Sequence, residues 1–324
     1  MGVCKLWLGR MVLNAAMELS SLIGMAVGLA VWCCWAWYTT AETRQRYWAV
    51  VWENLLYVEL AVACVLGLLV AFLWYHTELD PWAGRRRLFL FNDETIKVQA
   101  RYEAEEVLKS TRLRQLDTKH PVYVRVSGVV SRLLAANSGV DAILDQTWNV
   151  VVVDSPIINA IVEPNGLVLV YTGLTTMAND DQLMIVVGHE LAHCLLRHAN
   201  QIGSIKLLIA VLCMAPGNVV IWATLPFCWN LLAHICWTIV LSLCIVFPFI
   251  RAYETEADRI GLELAAKACV DVTQGYRFWD AMAAIDSRCK LLWFLSMHPS
   301  NTSRSRHLFN WIPAATEIRR QASC

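Results

Sequence analysis

Two histidines four residues apart, with a glutamate directly after the first, occur at His189-Glu190-Leu191-Ala192-His193. On a helix, residues i and i+4 project from one face, a turn apart. Imidazole nitrogen is a preferred ligand of zinc, so the pair could share one ion. Glu190 could then reach a metal-bound water without being a ligand itself. The bland alternative is an amphipathic helix with two buried histidines. A catalytic zinc keeps three protein ligands and one open position. Downstream, Glu254 and Asp258 are also four apart, on a stretch that reads as helix from near Arg251. Glu254 is the candidate third ligand. Asp258 could accept the free ring N–H of a zinc histidine and so fix its tautomer. Glu256 is rotated about 200° from Glu254 and reads as a solvated surface charge. His198 lies nine residues after His189, about half a turn out of phase on a continuous helix. It reads as a polar residue of the helix face that does not bind this metal.

The elements that must position these groups are legible in outline. Residues 180–206 read as one helix, with Asn179 or Asp180 placed to cap it. A β-branched run covers 149–154, and residues 159–171 read as two strands folded about Pro164-Asn165-Gly166. Residues 93–110 and 122–137 read as amphipathic helices, and a last helix is expected after Pro313. The expected class is α+β, mostly helical with a small sheet.

Apolar residues make up 57% of the 324-residue chain and charged ones 17%, a balance that leans toward a membrane protein. Lys+Arg and Asp+Glu are equal at 27 each, which argues against a nucleic-acid partner, since that needs a basic excess. Apolar runs at 19–41, 55–75 and 207–250 stand out, and about 20 residues suffice to span a bilayer. The third run carries no formal charge and breaks near 226–230, leaving two pieces of spanning length. His193 and Glu254 flank it and must meet at one ion, so the chain between them has to cross an even number of times. A buried hairpin inside a globular domain is the alternative. Residues 1–79 therefore read as a membrane region with two candidate transmembrane helices. Residues 80–324 read as a catalytic domain interrupted by the hydrophobic hairpin at 207–250.

Seven of the twelve cysteines lie inside apolar runs, where Cys acts as a small hydrophobe. No C-x-x-C pair suggests a thiol site. The N-terminus is not Ser/Arg-rich like a transit peptide, and Leu6 does not support myristoylation of Gly2.

With these residues in view, the sequence resembles the gluzincin clan, which includes HtpX-type membrane proteases and CaaX-prenyl proteases. Within it, the OMA-type mitochondrial inner-membrane metalloendopeptidases are most similar. The matching pieces run from about Trp74 to the C-terminus: 84–91, 153–160, 188–193, 251–261, 265–269 and His298-Pro299-Ser300. The resemblance implies a zincin fold with transmembrane helices, one catalytic zinc on His189, His193 and Glu254, and Glu190 as general base. It places Asn159 and Ala160 on an edge strand that pairs with extended substrate, His298 near the metal as an oxyanion stabiliser, and Arg304 in a supporting role. It implies a multi-pass protein of the mitochondrial inner membrane, with the lipid bilayer and membrane-protein substrates as partners and a homo-oligomer possible. The alternatives are an HtpX-like or CaaX-type protease of another intracellular membrane and a non-catalytic scaffold that uses zinc only to fold. Ile250 stands where the family has Ser, and residues 19–41 align to no part of it. Arg85, Arg86, Arg87, Lys206 and Arg251 border apolar segments, so the positive-inside rule favours matrix or cytoplasm for the catalytic side.

Overall fold

The computed structural model describes residues 8–80, 82, 84–285, 300–322 and 324. His298 lies outside the described residues. The elements follow in chain order as α1 (Leu8–Tyr38), α2 (Ala41–Glu53), α3 (Leu55–Tyr75), β1 (Thr77–Asp80) and β2 (Arg85–Leu88). Next come α4 (Asp93–Thr111), α5 (Pro121–Ala136), α6 (Asp141–Leu144), β3 (Asn149–Val153), β4 (Ala160–Val162), β5 (Leu167–Tyr171) and α7 (Thr172–Met177). The remainder is helical: α8 (Asp180–Leu195), α9 (His198–Ile209), α10 (Ala215–Thr224), α11 (Phe227–Leu241), α12 (Phe247–Lys267), α13 (Thr273–Ile285) and α14 (Asn301–Gln321). The chain divides into two units, one of residues 10–91 with 200–242, the other chiefly of 92–199 with 243–324.

The first unit is apolar helix with a small β-hairpin. Among the described residues of both units, four helical stretches are long and apolar enough to cross a membrane: Met17–Trp35, Leu55–Tyr75, His198–Thr224 and Cys228–Lys267. The break in the long apolar run falls where proline forces it, between the end of α10 and Pro226 ahead of α11. α1 packs directly on α10 through two glycines one turn apart. A Cβ on Gly24 would stand 2.5 Å from the Ala215 carbonyl oxygen, and one on Gly28 would stand 2.8 Å from that of Val219. Small residues allow such backbone approach between apolar helices. Beside them sits a buried polar knot: the Asn218 amide donates to Ser21 Oγ at 3.0 Å, and His234 Nδ1 donates to Asn218 Oδ1 at 2.9 Å.

The second unit carries the α+β fold expected. Its sheet has the order β3-β5-β4, with β3 parallel and β4 antiparallel to β5. Every residue of β5 is buried, as befits the central strand. The turn after β4 is built as its residues demand, with Gly166 at φ 88°. α8 starts on a capping box in which Asn179 accepts from the Gln182 amide and the Gln182 side chain accepts from the Asn179 amide. Leu183, Met184, Ile260, Leu262, Leu264 and Leu308 are fully buried and form the apolar filling of this unit.

Three features depart from the sequence reading. The helix expected over 180–206 breaks: α8 ends at Leu195, Arg197 adopts φ 55°, and α9 begins afresh at His198. A left-handed arginine is uncommon. Here its guanidinium is anchored on Asp93, with Nε and Nη2 at 2.8 and 2.7 Å from Oδ1. The final helix, expected after Pro313, begins at Asn301 and runs through that proline. An interior proline costs about 3 kcal/mol, and the apolar Leu308 and Ala315, buried along α14, act against that cost. Finally, Cys269 and Cys324 form a disulfide joining the end of α12 to the C-terminus. Nothing local marks either residue for pairing.

Candidate metal centre

α8 and α12 cross at a point where neither has a side chain. A Cβ on Gly188 would meet the Gly261 carbonyl oxygen at 2.8 Å, and one on Gly261 would meet His189 Cα and N at 2.6 Å. The glycine directly before the first histidine and the glycine seven residues after the glutamate therefore let the backbones touch. That close crossing brings Glu254 over the two histidines.

His189 Nε2 and His193 Nε2 are 3.2 Å apart. Glu254 offers one carboxylate oxygen to each, Oε2 at 3.6 Å from His189 Nε2 and Oε1 at 3.6 Å from His193 Nε2. Among the described residues, these three form the group whose ligand atoms all lie within 4.8 Å of one another. Two imidazoles and a carboxylate converging on one point, in a largely buried place, fit a zinc ion with a fourth position left open. Glu190 flanks the cluster with Oε1 4.0 Å from His189 Nε2, and a quarter of its side chain is exposed.

Each histidine is held from behind. His189 Nδ1 lies 3.0 Å from Asp258 Oδ1, so an Nδ1–H donor leaves the Nε2 lone pair to the cluster side, where Arg304 Nη2 also stands 3.2 Å from it. Asp258 also receives a two-pronged bond from Arg304, through Nη2 to Oδ1 and through Nε to Oδ2 at 2.8 Å. The Arg304 guanidinium lies 3.5 Å over the Trp279 ring. Burial pushes the Asp258 carboxyl up, but Arg304 and the His189 hydrogen bond outweigh it and hold the group below the usual carboxylate range. Burial, then the neighbouring His189, hold His193 well below the usual imidazole range, in the neutral form that can ligate. At His189, burial and Arg304 pull downward, while Asp258 and Glu254 outweigh them and raise it.

Two residues read as bland from sequence stand in this cluster. His198, expected on a polar helix face, is 1% exposed with its Nδ1 2.9 Å from His193 Nδ1. Glu256, expected as a solvated charge, turns inward with Oε2 3.4 Å from His198 Nε2. The break at Arg197 takes His198 out of the phase that a continuous helix would have imposed, so it is buried rather than on a polar face, while it stays outside the candidate ligand group as expected. Glu256, on the unbroken α12, is not the solvated charge expected, because it faces that buried ring. Arg304 has a more definite position than sequence reasoning supplied, bridging α14 to α12.

β4 is an edge strand of the sheet, with Asn159 just before it and Ala160 its first residue. Tyr171 N–H donates to the Asn159 carbonyl at 3.1 Å and Glu163 N–H to the Leu167 carbonyl at 2.9 Å. By alternation, the Ala160 and Val162 backbone groups point away from β5. The Val162 carbonyl accepts from the Cys194 thiol on α8 at 3.1 Å, which ties the open strand edge to the helix bearing both histidines.

Residues 125–312 match Peptidase family M48. The chain is 38% identical over 262 residues to "Metalloendopeptidase OMA1, mitochondrial" of Bos taurus, covering 79% of this chain and 50% of that protein. It is 37% identical over 264 residues to the Homo sapiens protein of the same name, with the same coverage. Against "Mitochondrial metalloendopeptidase OMA1" of Schizosaccharomyces pombe it is 32% identical over 270 residues, 80% of this chain and 75% of that protein. The chain spans about half the length of the mammalian relatives. The matched stretch contains both histidines, both glutamates, Asp258 and Arg304, and the chain belongs to peptidase family M48.

Proposed function

We propose that this chain is a zinc-dependent metalloendopeptidase of the mitochondrial inner membrane, cutting peptide bonds in membrane-tethered proteins. The observation that carries the reading is the convergence of His189, His193 and Glu254 beside the partly exposed Glu190. Bound by those three side chains, zinc would polarise the scissile carbonyl and lower the pKa of the attacking water to about 7. Glu190 takes the proton from that water and hands it to the departing amine. Asp258, braced by Arg304, keeps the His189 ring turned with Nε2 toward the cluster. The backbone of Ala160 at the free edge of β4 pairs with an extended substrate segment, and Asn159 lies at the strand's entrance.

The membrane part of the reading rests on chain continuity. An apolar stretch begins at His198, directly after the first two ligands, and the stretch holding the third begins at Cys228. Two crossings between them return the chain to the side it left. Substrates would then be segments near a bilayer, and the mitochondrial names of the relatives support the mitochondrion as the compartment.

The test uses the full chain in detergent with a quenched peptide as substrate. Hydrolysis abolished by a chelator and restored by stoichiometric zinc is the expected result. Hydrolysis that persists after complete removal of metal would overturn the proposal.

A further inference from the structure

The geometry points to His198 as a positioning residue for His193, linking that ring to the Glu256 carboxylate. The inference rests on the proposed ligand set, because it concerns how one ligand is held. His193 turns Nε2 toward His189 and Glu254, and its other nitrogen, Nδ1, meets His198 Nδ1 at 2.9 Å. A ring that ligates through Nε2 carries its proton on Nδ1. That proton needs an acceptor, so His198 Nδ1 must be bare and His198 must carry its own proton on Nε2. The atom that proton faces is Glu256 Oε2, 3.4 Å away. The chain Glu256–His198–His193 therefore has one consistent assignment of protons, with both rings neutral and the carboxylate as final acceptor.

The His198 ring has little freedom to do otherwise. It is 1% exposed and stacks on Tyr253, with centroids 4.8 Å apart and planes 28° apart. Tyr253 directly precedes the third ligand, so the same helix turn that delivers Glu254 also supports His198. The two candidate zinc histidines thus have matching supports of unequal length. His189 reaches Asp258 directly, while His193 reaches its carboxylate through a second imidazole. Groups that orient metal-bound histidines govern metal affinity, and their loss costs about 10- to 100-fold.

The experiment measures zinc affinity of the full chain in detergent by competition with a chromophoric chelator. His198→Leu, which removes the acceptor, is expected to weaken zinc binding by about 10- to 100-fold. His198→Asn places an amide oxygen where Nδ1 stood and is expected to recover most of that loss. Glu256→Leu should weaken binding several-fold and Glu256→Gln much less. Wild-type affinity in His198→Leu, or an equal loss in the Leu and Asn variants, would overturn the assignment in favour of mere packing. Where His198→Leu does not fold, the Glu256 pair decides, and wild-type affinity in Glu256→Leu counts against the relay. His193→Ala separates the two levels of argument: zinc affinity unchanged by it would remove His193 from the ligand set, and the relay with it.

Discussion

The cluster around His189 and the knot around Asn218 both hold polar side chains away from water, and they do so by different physics. At the cluster, the groups are imidazoles, carboxylates and a guanidinium that crowd one point, with His189, Glu254, Asp258 and Arg304 all buried. Each is expensive to bury alone and is tolerable only because an opposite charge or a donor faces it. At the knot, Ser21, Asn218 and His234 pass hydrogen bonds from helix to helix and converge on nothing. Their arrangement ties α1, α10 and α11 together. Glycines serve both places. Gly188 and Gly261 let α8 and α12 touch so that ligands meet, whereas Gly24 and Gly28 let α1 and α10 touch so that helices associate. Burial of polar groups is thus no sign of chemistry by itself; convergence of ligand atoms on one open position is.

The largest effect expected lies at Glu190. Glu190→Gln should slow peptide hydrolysis by about 10²- to 10⁴-fold while zinc content stays stoichiometric, as read by metal analysis of the purified protein. Wild-type turnover would collapse the distinction between cluster and knot. Next is Asp258→Ala, which leaves the buried Arg304 cation only the more distant Glu254 carboxylate, 3.8 Å away, as an ion-pair partner. Breaking a buried pair in this way costs about 3–5 kcal/mol, seen as a lowered midpoint of thermal unfolding in zinc-free protein. A smaller and sharper contrast comes from matched glycine substitutions. Gly261→Ala overpacks the α8–α12 crossing at a cost of about 1–3 kcal/mol and should weaken zinc binding. Gly28→Ala should cost a similar amount, speed hydrogen exchange along α1 and leave zinc affinity unchanged. The smallest effect is Asn218→Leu, where intramembrane hydrogen bonds average about 0.6 kcal/mol each. Its signature is a slightly lowered thermal midpoint with full hydrolytic activity.

The candidate metal group was legible because its logic is local. Two histidines four apart share a helix face wherever the helix lies, and Glu254 with Asp258 repeats that spacing. The apolar spans were legible because a bilayer sets a length, and α3 coincides with its expected bounds, Leu55–Tyr75. The strands about Pro164-Asn165-Gly166 followed from turn chemistry. The role of His198 was hidden for the opposite reason. Residues 194–198 contain neither Gly nor Pro to announce a break, and a helix assumed to continue put His198 on the wrong face.

By itself, then, the sequence determined which groups could bind a metal, which segments could cross a bilayer, and that any crossings between His193 and Glu254 must be even in number for the two to meet. Tertiary structure alone decided the turn at Arg197, set by Asp93 across 104 residues of chain. It also decided the approach of Gly188 to Gly261, the Arg304–Asp258 pair and the Cys269–Cys324 bond. The reason is that helical periodicity and spanning length are properties of neighbouring residues. A left-handed arginine, a glycine contact or a buried ion pair is instead stabilised by partners that only folding brings within reach.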